Sequence, residues 1–194
     1  ITGGVSFYNS PTKITNSKFI NSSSEDALNL VRSPFIIENT SFLNTFSDAI
    51  DVDFSNGQIK NSSFEKIGND AIDISGSVVD LNKINIASAG DKAISVGERS
   101  KLVARNIDIN NAFIGLASKD LSNIKISNLK INNSKICFAA YQKKPEYGPG
   151  FIKMIESNTF CENHYILENG SSIFLSGSSI LPNTDNAYKE LYND

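Results

Sequence analysis

Short apolar–polar–apolar triplets recur along the chain every 20 to 22 residues: Leu28-Asn29-Leu30, Ile50-Asp51-Val52, Ile72-Asp73-Ile74, Ile94-Ser95-Val96, Ile114-Gly115-Leu116 and Ile136-Cys137-Phe138. A triplet of this kind at a fixed period predicts one short strand per repeat, with its middle side chain outward. Three copies carry Asp-Ala just ahead, as Asp26-Ala27, Asp48-Ala49 and Asp70-Ala71.

The stretches between the triplets keep the same step. Val5-Ser6-Phe7, Pro11, Ile14, Asn16 and Phe19 return 23 residues later as Leu28-Asn29-Leu30, Pro34, Ile37, Asn39 and Phe42. Ile59, Asn61 and Phe64 follow, then Leu81, Lys83 and Ile86, then Ala104, Asn106 and Ile109, then Ile126, Asn128 and Ile131. Each repeat therefore holds three short apolar segments parted by polar turns. The segments are too short for helices and rich in β-branched residues, which predicts strands. Three strands in a coil of about 22 residues is the arrangement of an all-β, single-stranded right-handed parallel β-helix with three parallel sheets. Leucine-rich repeats share the period, but their Leu-x-x-Leu-x-Leu spacing is absent.

Stacking places like on like. Phe19, Phe42 and Phe64 are expected in one inner row that continues through Ile86, Ile109 and Ile131 and returns to an aromatic at Phe160. Ile14, Ile37, Ile59 and Leu81 form a second inner row, and close packing of such rows would hold the fold. Asn16, Asn39, Asn61, Asn106 and Asn128 line up as an asparagine ladder, interrupted by Lys83. Buried amides in such a ladder would bond from coil to coil. Asn39-Thr40-Ser41 and Asn61-Ser62-Ser63 also match the glycosylation sequon, and a place in the ladder argues against modification.

Regularity breaks once, at a Pro- and Gly-bearing insertion from Tyr141 to Gly150 that reads as a loop. Tyr165-Ile166-Leu167 and Ile173-Phe174-Leu175 then read as closing strands. Thr184 is placed to N-cap a short helix with Ala187, Tyr188, Leu191 and Tyr192 on its apolar side. Residues 1–181 are thus expected to form the β-helix and 182–194 a cap over the open sheet edges at the end of the rod. The strand pattern starts at once at Ile1, which leads us to expect more solenoid or another domain ahead of it.

Composition narrows the partners. A formal charge of −3 offers no general basic surface for nucleic acid. No apolar run reaches the roughly 18 residues of a membrane span. The two cysteines, Cys137 and Cys161, do not make a disulfide framework, and Cys137 is expected outward without a second thiol or imidazole beside it.

Candidate chemistry collects on one face. The outward middle positions read Ser6, Asn29, Asp51, Asp73, Ser95, Gly115 and Cys137, and a leading row reads Asp26, Asp48, Asp70 and Lys92. Carboxylates stacked about 5 Å apart repel unless one is protonated, a cation bridges them, or backbone donors satisfy them. The first two options would make Asp51, Asp70 and Asp73 catalytic candidates, with Lys92 as base, and Asp48, Asp51, Asp70 and Asp73 ligands for Ca²⁺. The third would make the leading Asp residues part of the turn, and Lys92 a simple neutraliser of its neighbour. In the insertion, Tyr141 and Tyr147 could stack on sugar rings, while Lys143 and Lys144 could hold sugar carboxylates. Alternatively the two tyrosines fold the loop onto the rod. His164 reads as a surface residue.

The coil period, the Asn row and the repeated Asp-Ala-Ile-Asp element resemble pectate-lyase-like right-handed β-helix proteins over the whole chain. Gly68-Asn69-Asp70-Ala71-Ile72-Asp73-Ile74-Ser75-Gly76 and Gly90-Asp91-Lys92-Ala93-Ile94-Ser95-Val96-Gly97 are similar to two polygalacturonase segments. Asn69 replaces the first catalytic Asp there, Asp91 stands near the His position, and no Arg-Ile-Lys follows, so only Asp70 carries over. The stretches 48–57 and 139–149 are more similar to bacterial surface β-helix segments that accompany CotH-kinase-like domains. That resemblance implies a non-catalytic module of a larger secreted or cell-surface protein that serves as scaffold or binds carbohydrate. The alternative is a Ca²⁺-assisted polysaccharide lyase or glycoside hydrolase acting on an acidic polysaccharide.

Overall fold

The computed structural model describes residues 3–192. Its backbone winds as a parallel β-solenoid in which each strand pairs with strands one coil, about 22 residues, before and after. The first sheet stacks Gly3–Tyr8, Asp26–Val31, Asp48–Asp53, Ile72–Ser75, Ala89–Gly97 and Ala112–Lys119. It ends with the C-terminal parts of Asn123–Tyr141 and Phe151–Leu167. Thr12–Thr15 and Phe35–Glu38 begin the second sheet, Lys18–Ile20 and Ser41–Thr45 the third. Among the described residues no helix is long and apolar enough to cross a membrane.

Inward rows form the core. Phe19, Phe42 and Phe64 stack with ring centroids 4.7 and 5.0 Å apart and nearly parallel planes. Ile86, Ile109 and Ile131 continue that row in register. Phe160 does not close it: Thr159 pairs with Ile131, and Phe160 pairs with Asn132 and is 75% exposed. One residue of register turns a side chain to the other face of a strand. Ile14, Ile37, Ile59 and Leu81 stack as expected, followed by Ala104, Ile126 and Met154.

The asparagines form the expected ladder, but on the outside of the rod and not within it. Asn16, Asn39, Asn61, Asn106 and Asn128 are all exposed, at the corner between the second and third sheets, with φ between 47° and 57°. Asn tolerates this left-handed conformation better than other residues with a Cβ. Their amides do bond along the rod, Asn39 to Asn16 (3.2 Å) and Asn128 to Asn106 (2.7 Å), but on its outside. Asn106 bypasses Lys83 and donates to Asn82 (2.9 Å). A second outer row, Asn21 and Asn44, turns the next corner with the same geometry. Exposure removes the burial argument against modification at Asn39 and Asn61.

Serine supplies the buried ladder. Ser33, Ser55, Ser77, Ser100 and Ser122 are at most 2% exposed. Each hydroxyl from Ser55 onward accepts the backbone N–H of the serine one coil earlier, at 2.8 to 3.1 Å. These N–H groups sit where the chain leaves the first sheet, and a buried donor left unmade costs about 1–3 kcal/mol.

The later coils depart from the expected phase. A bulge between Ala89 and Lys92 makes Lys92 pair with Ile114, and Ile94 with Leu116 rather than Ile114. The central outward row therefore runs Ser6, Asn29, Asp51, Asp73, Ser95, Ala117, Ala139 and Ile166. Gly115 and Cys137 fall instead in the inward small-residue row of Ala27, Ala49, Ala71 and Ala93. Cys137 is fully buried and forms a disulfide with Cys161, across 5.7 Å between Cα atoms. The expectation of an outward, solitary Cys137 is overturned by this phase.

The C-terminal segment also takes a different place. Asn183 and Thr184 bond along the last strand at Leu167 and Asn169, covering that edge. The helix Ala187–Tyr192 (α1) then turns back onto the outer face of the first sheet, where Ala187 and Leu191 pack on Ile114, Ala117, Ile136, Ala139 and Tyr141. Asn186, not Thr184, caps it, its side chain accepting the Lys189 N–H at 2.9 Å.

Candidate functional site

Three outward rows of the first sheet meet α1 and the insertion loop. The leading row reads Asp26, Asp48, Asp70, Lys92, Ile114 and Ile136. The central row is Asn29, Asp51, Asp73 and Ser95. The trailing row is Val31, Asp53, Ser75, Gly97, and then Lys119 and Tyr141. The face is acidic over its early coils and apolar under the helix.

The leading aspartates bond forward along the rod. Asp48 Oδ1 accepts the Asp70 N–H (2.9 Å) and the Asn69 side-chain amide (2.7 Å), and Asp70 Oδ1 accepts the Lys92 N–H (2.8 Å). Burial pushes the Asp48 carboxyl up to about 6 despite these donors. Desolvation raises Asp70 to about 7, with Lys92 pulling the other way.

Lys92 is 7% exposed and lies between Asp70 and Asp91, with the Tyr192 ring 5.3 Å from its Nζ. Desolvation works against its charge, but Asp70 and Asp91 outweigh it and hold the ammonium above its usual range. A lysine in that condition keeps its proton and is not a base at neutral pH. The Tyr192 hydroxyl completes the cluster by donating to Asp91 at 3.1 Å.

The central row has a different character. Asn29 Nδ2 donates to Asp51 Oδ2 at 2.9 Å. Burial, then the charges of Asp53 and Asp73, push the Asp51 carboxyl up to about 9, so it holds a proton and shares it with Asp53. Burial also raises Asp53. The charge of Asp73 contributes to the shifts of Asp48, Asp51, Asp53 and Asp70. It is the electrostatic centre of the face.

Asp48, Asp51, Asp70 and Asp73 thus share one face of adjacent coils. Among the described residues, however, no group of three or more Asp, Glu, His or Cys side chains converges to hold a metal. A flat parallel sheet spaces carboxylates in a row, while Ca²⁺ needs ligands gathered around a point.

The loop residues divide. Tyr141 is fully buried beneath α1 and presents no ring to the surface. Tyr147 packs under Arg99 (5.4 Å), and Lys144 pairs with Glu98. Gln142 folds the loop on itself by donating to the carbonyls of Lys144 and Tyr147. Lys143 alone of the four is exposed; desolvation and then the nearby Lys119 and Lys92 lower its pKa. His164 is exposed, edge-on to Phe138.

Sequence reasoning placed Asn29 and Ser95 outward and expected the short C-terminal helix, but gave none of these a part in the site and passed over Lys119. Three buried side-chain atoms lack hydrogen-bond partners among the described residues: Asn29 Oδ1, Ser95 Oγ and Tyr141 Oη. All three belong to the outward rows of this one sheet. Beside them an exposed ring, Phe54, lies over Gly76, whose φ of 61° and missing side chain leave it room.

No protein-family model matches the chain, and neither the curated proteins nor the solved structures contain a match.

Proposed function

We propose that this chain is a non-catalytic β-solenoid module that binds carbohydrate along the outward face of its first sheet. The observation that carries the reading is the place of two unpaired buried polar atoms, Asn29 Oδ1 and Ser95 Oγ, in the central row of that single face, in line with half-buried Asp51 and Asp73. Buried polar groups normally find partners, so these supply unused capacity to a ligand rich in hydroxyls. Half-buried Asp51, Asp53 and Asp73 offer acceptors for sugar hydroxyls, and exposed Phe54 offers an apolar ring at the edge of the face. The proton that Asp70 and Asp91 hold on Lys92 counts against the lyase reading in which that lysine is the base.

The Cys137–Cys161 disulfide supports a secreted or cell-surface setting, where such bonds persist. The likeness of residues 48–57 and 139–149 to CotH-associated β-helix segments belongs to the same proposal, as does membership of a larger bacterial protein. Affinity electrophoresis against a panel of neutral and acidic polysaccharides tests it, with Asp51→Asn/Asp73→Asn as the control. Retention of the wild type that the double variant loses is the expected result. Retention on no glycan removes the binding reading, and reducing-end release or unsaturated product from any glycan removes the non-catalytic one.

A further inference from the structure

The second sheet changes character along its outer face. Its early coils mix charges of both signs there: Lys13, Glu38, Lys60 and Asp80. The next three coils, in register, present Val103 and Arg105, then Lys125 and Ser127, then Lys153 and Ile155. No carboxylate stands among these six. Asp80, one coil earlier, accepts from Arg105 at 2.7 Å, and Glu156 turns the corner just after Ile155. Among the described residues no ion pair reaches Lys125 or Lys153, and both side chains are exposed. Val103 and Ile155 are exposed as well, Ile155 by 56%. Uncompensated positive charge thus lies beside uncovered apolar surface, on a chain whose net charge is −3.

Ser127 turns this stretch into a hollow. It is the shortest of the six, and longer neighbours surround it: Arg105 one coil before, Ile155 one coil after, and Lys125 two residues back on the same strand. The six residues line one open depression of about 250 Å³. Two steps of strand spacing separate Arg105 from Ile155 by about 10 Å, and a ring touching a wall on each face needs about 7 Å. A closed cavity of roughly 150 Å³ already admits benzene, so one ring with an acid group fits. Lys125 and Lys153 are neighbours in one row, about 4.8 Å apart at the backbone, so two ammonium groups can flank one acid group.

We propose that this hollow binds a small anion carried on a ring: an aromatic carboxylate or phosphate ester. The ring lies over Ser127 between the Arg105 stem and Ile155, and covers apolar surface now open to water. Its acid group reaches Lys125 and Lys153, and the Ser127 hydroxyl has a proton to give it. Asp80 already engages Arg105, so the two lysines supply the charge. Neither half of the ligand suffices alone, because exposed ammonium groups hold a bare anion weakly and the hollow is too open to hold a bare ring. The site lies on a different sheet from the acidic face and does not depend on what binds there.

Titration followed by two-dimensional amide NMR tests the proposal, with benzoate and phenyl phosphate as probes. Acetate and benzyl alcohol are the controls, which keep only the charge or only the ring. Phenyl phosphate should bind with a Kd of about 1 mM or tighter and move the amides of Lys125, Ser127 and Lys153. Acetate and benzyl alcohol should bind at least about tenfold more weakly. Ser127→Leu, which fills the hollow, should abolish binding, and Lys125→Gln/Lys153→Gln should weaken it about tenfold. Lys13→Gln, on the same face outside the hollow, should leave it unchanged. No binding of either probe, equal binding of acetate, shifts gathered elsewhere on the rod, or full affinity in Ser127→Leu would each overturn the site. Should Ser127→Leu fail to fold, the lysine pair decides alone, and unchanged affinity there counts against it. Tighter binding of phenyl phosphate than benzoate assigns a phosphate, and the reverse assigns a carboxylate. Sedimentation showing self-association that Lys125→Gln/Lys153→Gln removes would give the hollow to the acidic face of a second copy and sink the ligand reading. Asp51→Asn/Asp73→Asn should abolish glycan retention and keep phenyl phosphate binding.

Discussion

The early and late coils of the first sheet use one backbone pattern to build opposite surfaces. From Asp26 to Asp73 the outward positions are carboxylates and an amide, stacked at strand spacing with solvent on one side. From Ile114 to Ala139 the leading and central positions are apolar, and α1 covers them with Ala187 and Leu191. Lys92 is the seam: it follows Asp70 in the leading row and precedes Ile114. The comparison teaches that a solenoid strand fixes where a side chain points but leaves its chemistry to whatever lies outside. The same outward position can therefore be wet, charged and protonation-sensitive, or dry and packed.

Cutting the seam should have the largest effect. Lys92→Met leaves Asp70 buried beside Asp91 without their shared cation, and we expect a loss of about 3–5 kcal/mol in urea unfolding. A loss below about 1 kcal/mol would mean that the two halves are not coupled through this residue. Reduction of Cys137–Cys161 comes next. A closed loop with a sequence separation of 24 contributes about 3 kcal/mol by chain entropy. Hydrogen exchange should rise in the late coils and stay unchanged in the acidic ones. Leu191→Ala should cost about 2 kcal/mol, the low end for such truncations because the residue lies under a single short helix, and should expose the Tyr192 hydroxyl to faster exchange.

The smallest expected effect concerns the acidic half alone. Asp48, Asp51, Asp53 and Asp70 have folded-state pKa values raised above those of the unfolded chain. The folded state then binds more protons than the unfolded one. Their stabilisation is complete below about pH 4 and is lost as pH rises through their raised values, with Asp48, at about 6, among the first. The melting temperature should thus fall between pH 5 and pH 9. Asp51→Asn should flatten the upper part of that fall and raise the melting point at pH 8 by on the order of a few degrees. A profile that rises with pH would contradict the shared proton.

Much of the fold was legible because inner and outer residues differ in kind. Phe19, Phe42 and Phe64 alternate with polar neighbours, and so do Ile14, Ile37 and Ile59. The reading failed where that contrast vanished. Under α1 both faces of the strand are apolar, so Ile114 and Leu116 look alike, and Ile114 was placed inward although it is the counterpart of Lys92. The same slip put Cys137 outside and hid its bond to Cys161. Asn was read as an interior ladder residue because its corner conformation leaves no mark in an apolar–polar pattern. Of the candidate site, Asp51, Asp70, Asp73 and Lys92 were visible from their repeat positions. Lys119 was not, because its row becomes visible only once the bulge before Lys92 is known. The serine ladder was readable, in steps of 22 and 23 residues, but serine in a turn attracts no notice.

That ladder has a consequence for how such a chain can change length. Each serine hydroxyl receives one N–H from the coil before it, so the rungs are identical and every rung needs only its neighbours. Duplicating one whole coil inserts a rung that is satisfied on both sides, and a coil of 23 residues, from Ser77 to Ser100, keeps its rung as well as one of 22. Length in this architecture is therefore counted in coils: adding or removing whole units of about 22 residues leaves every remaining rung satisfied, and the loop after Tyr141 holds its extra residues outside the ladder.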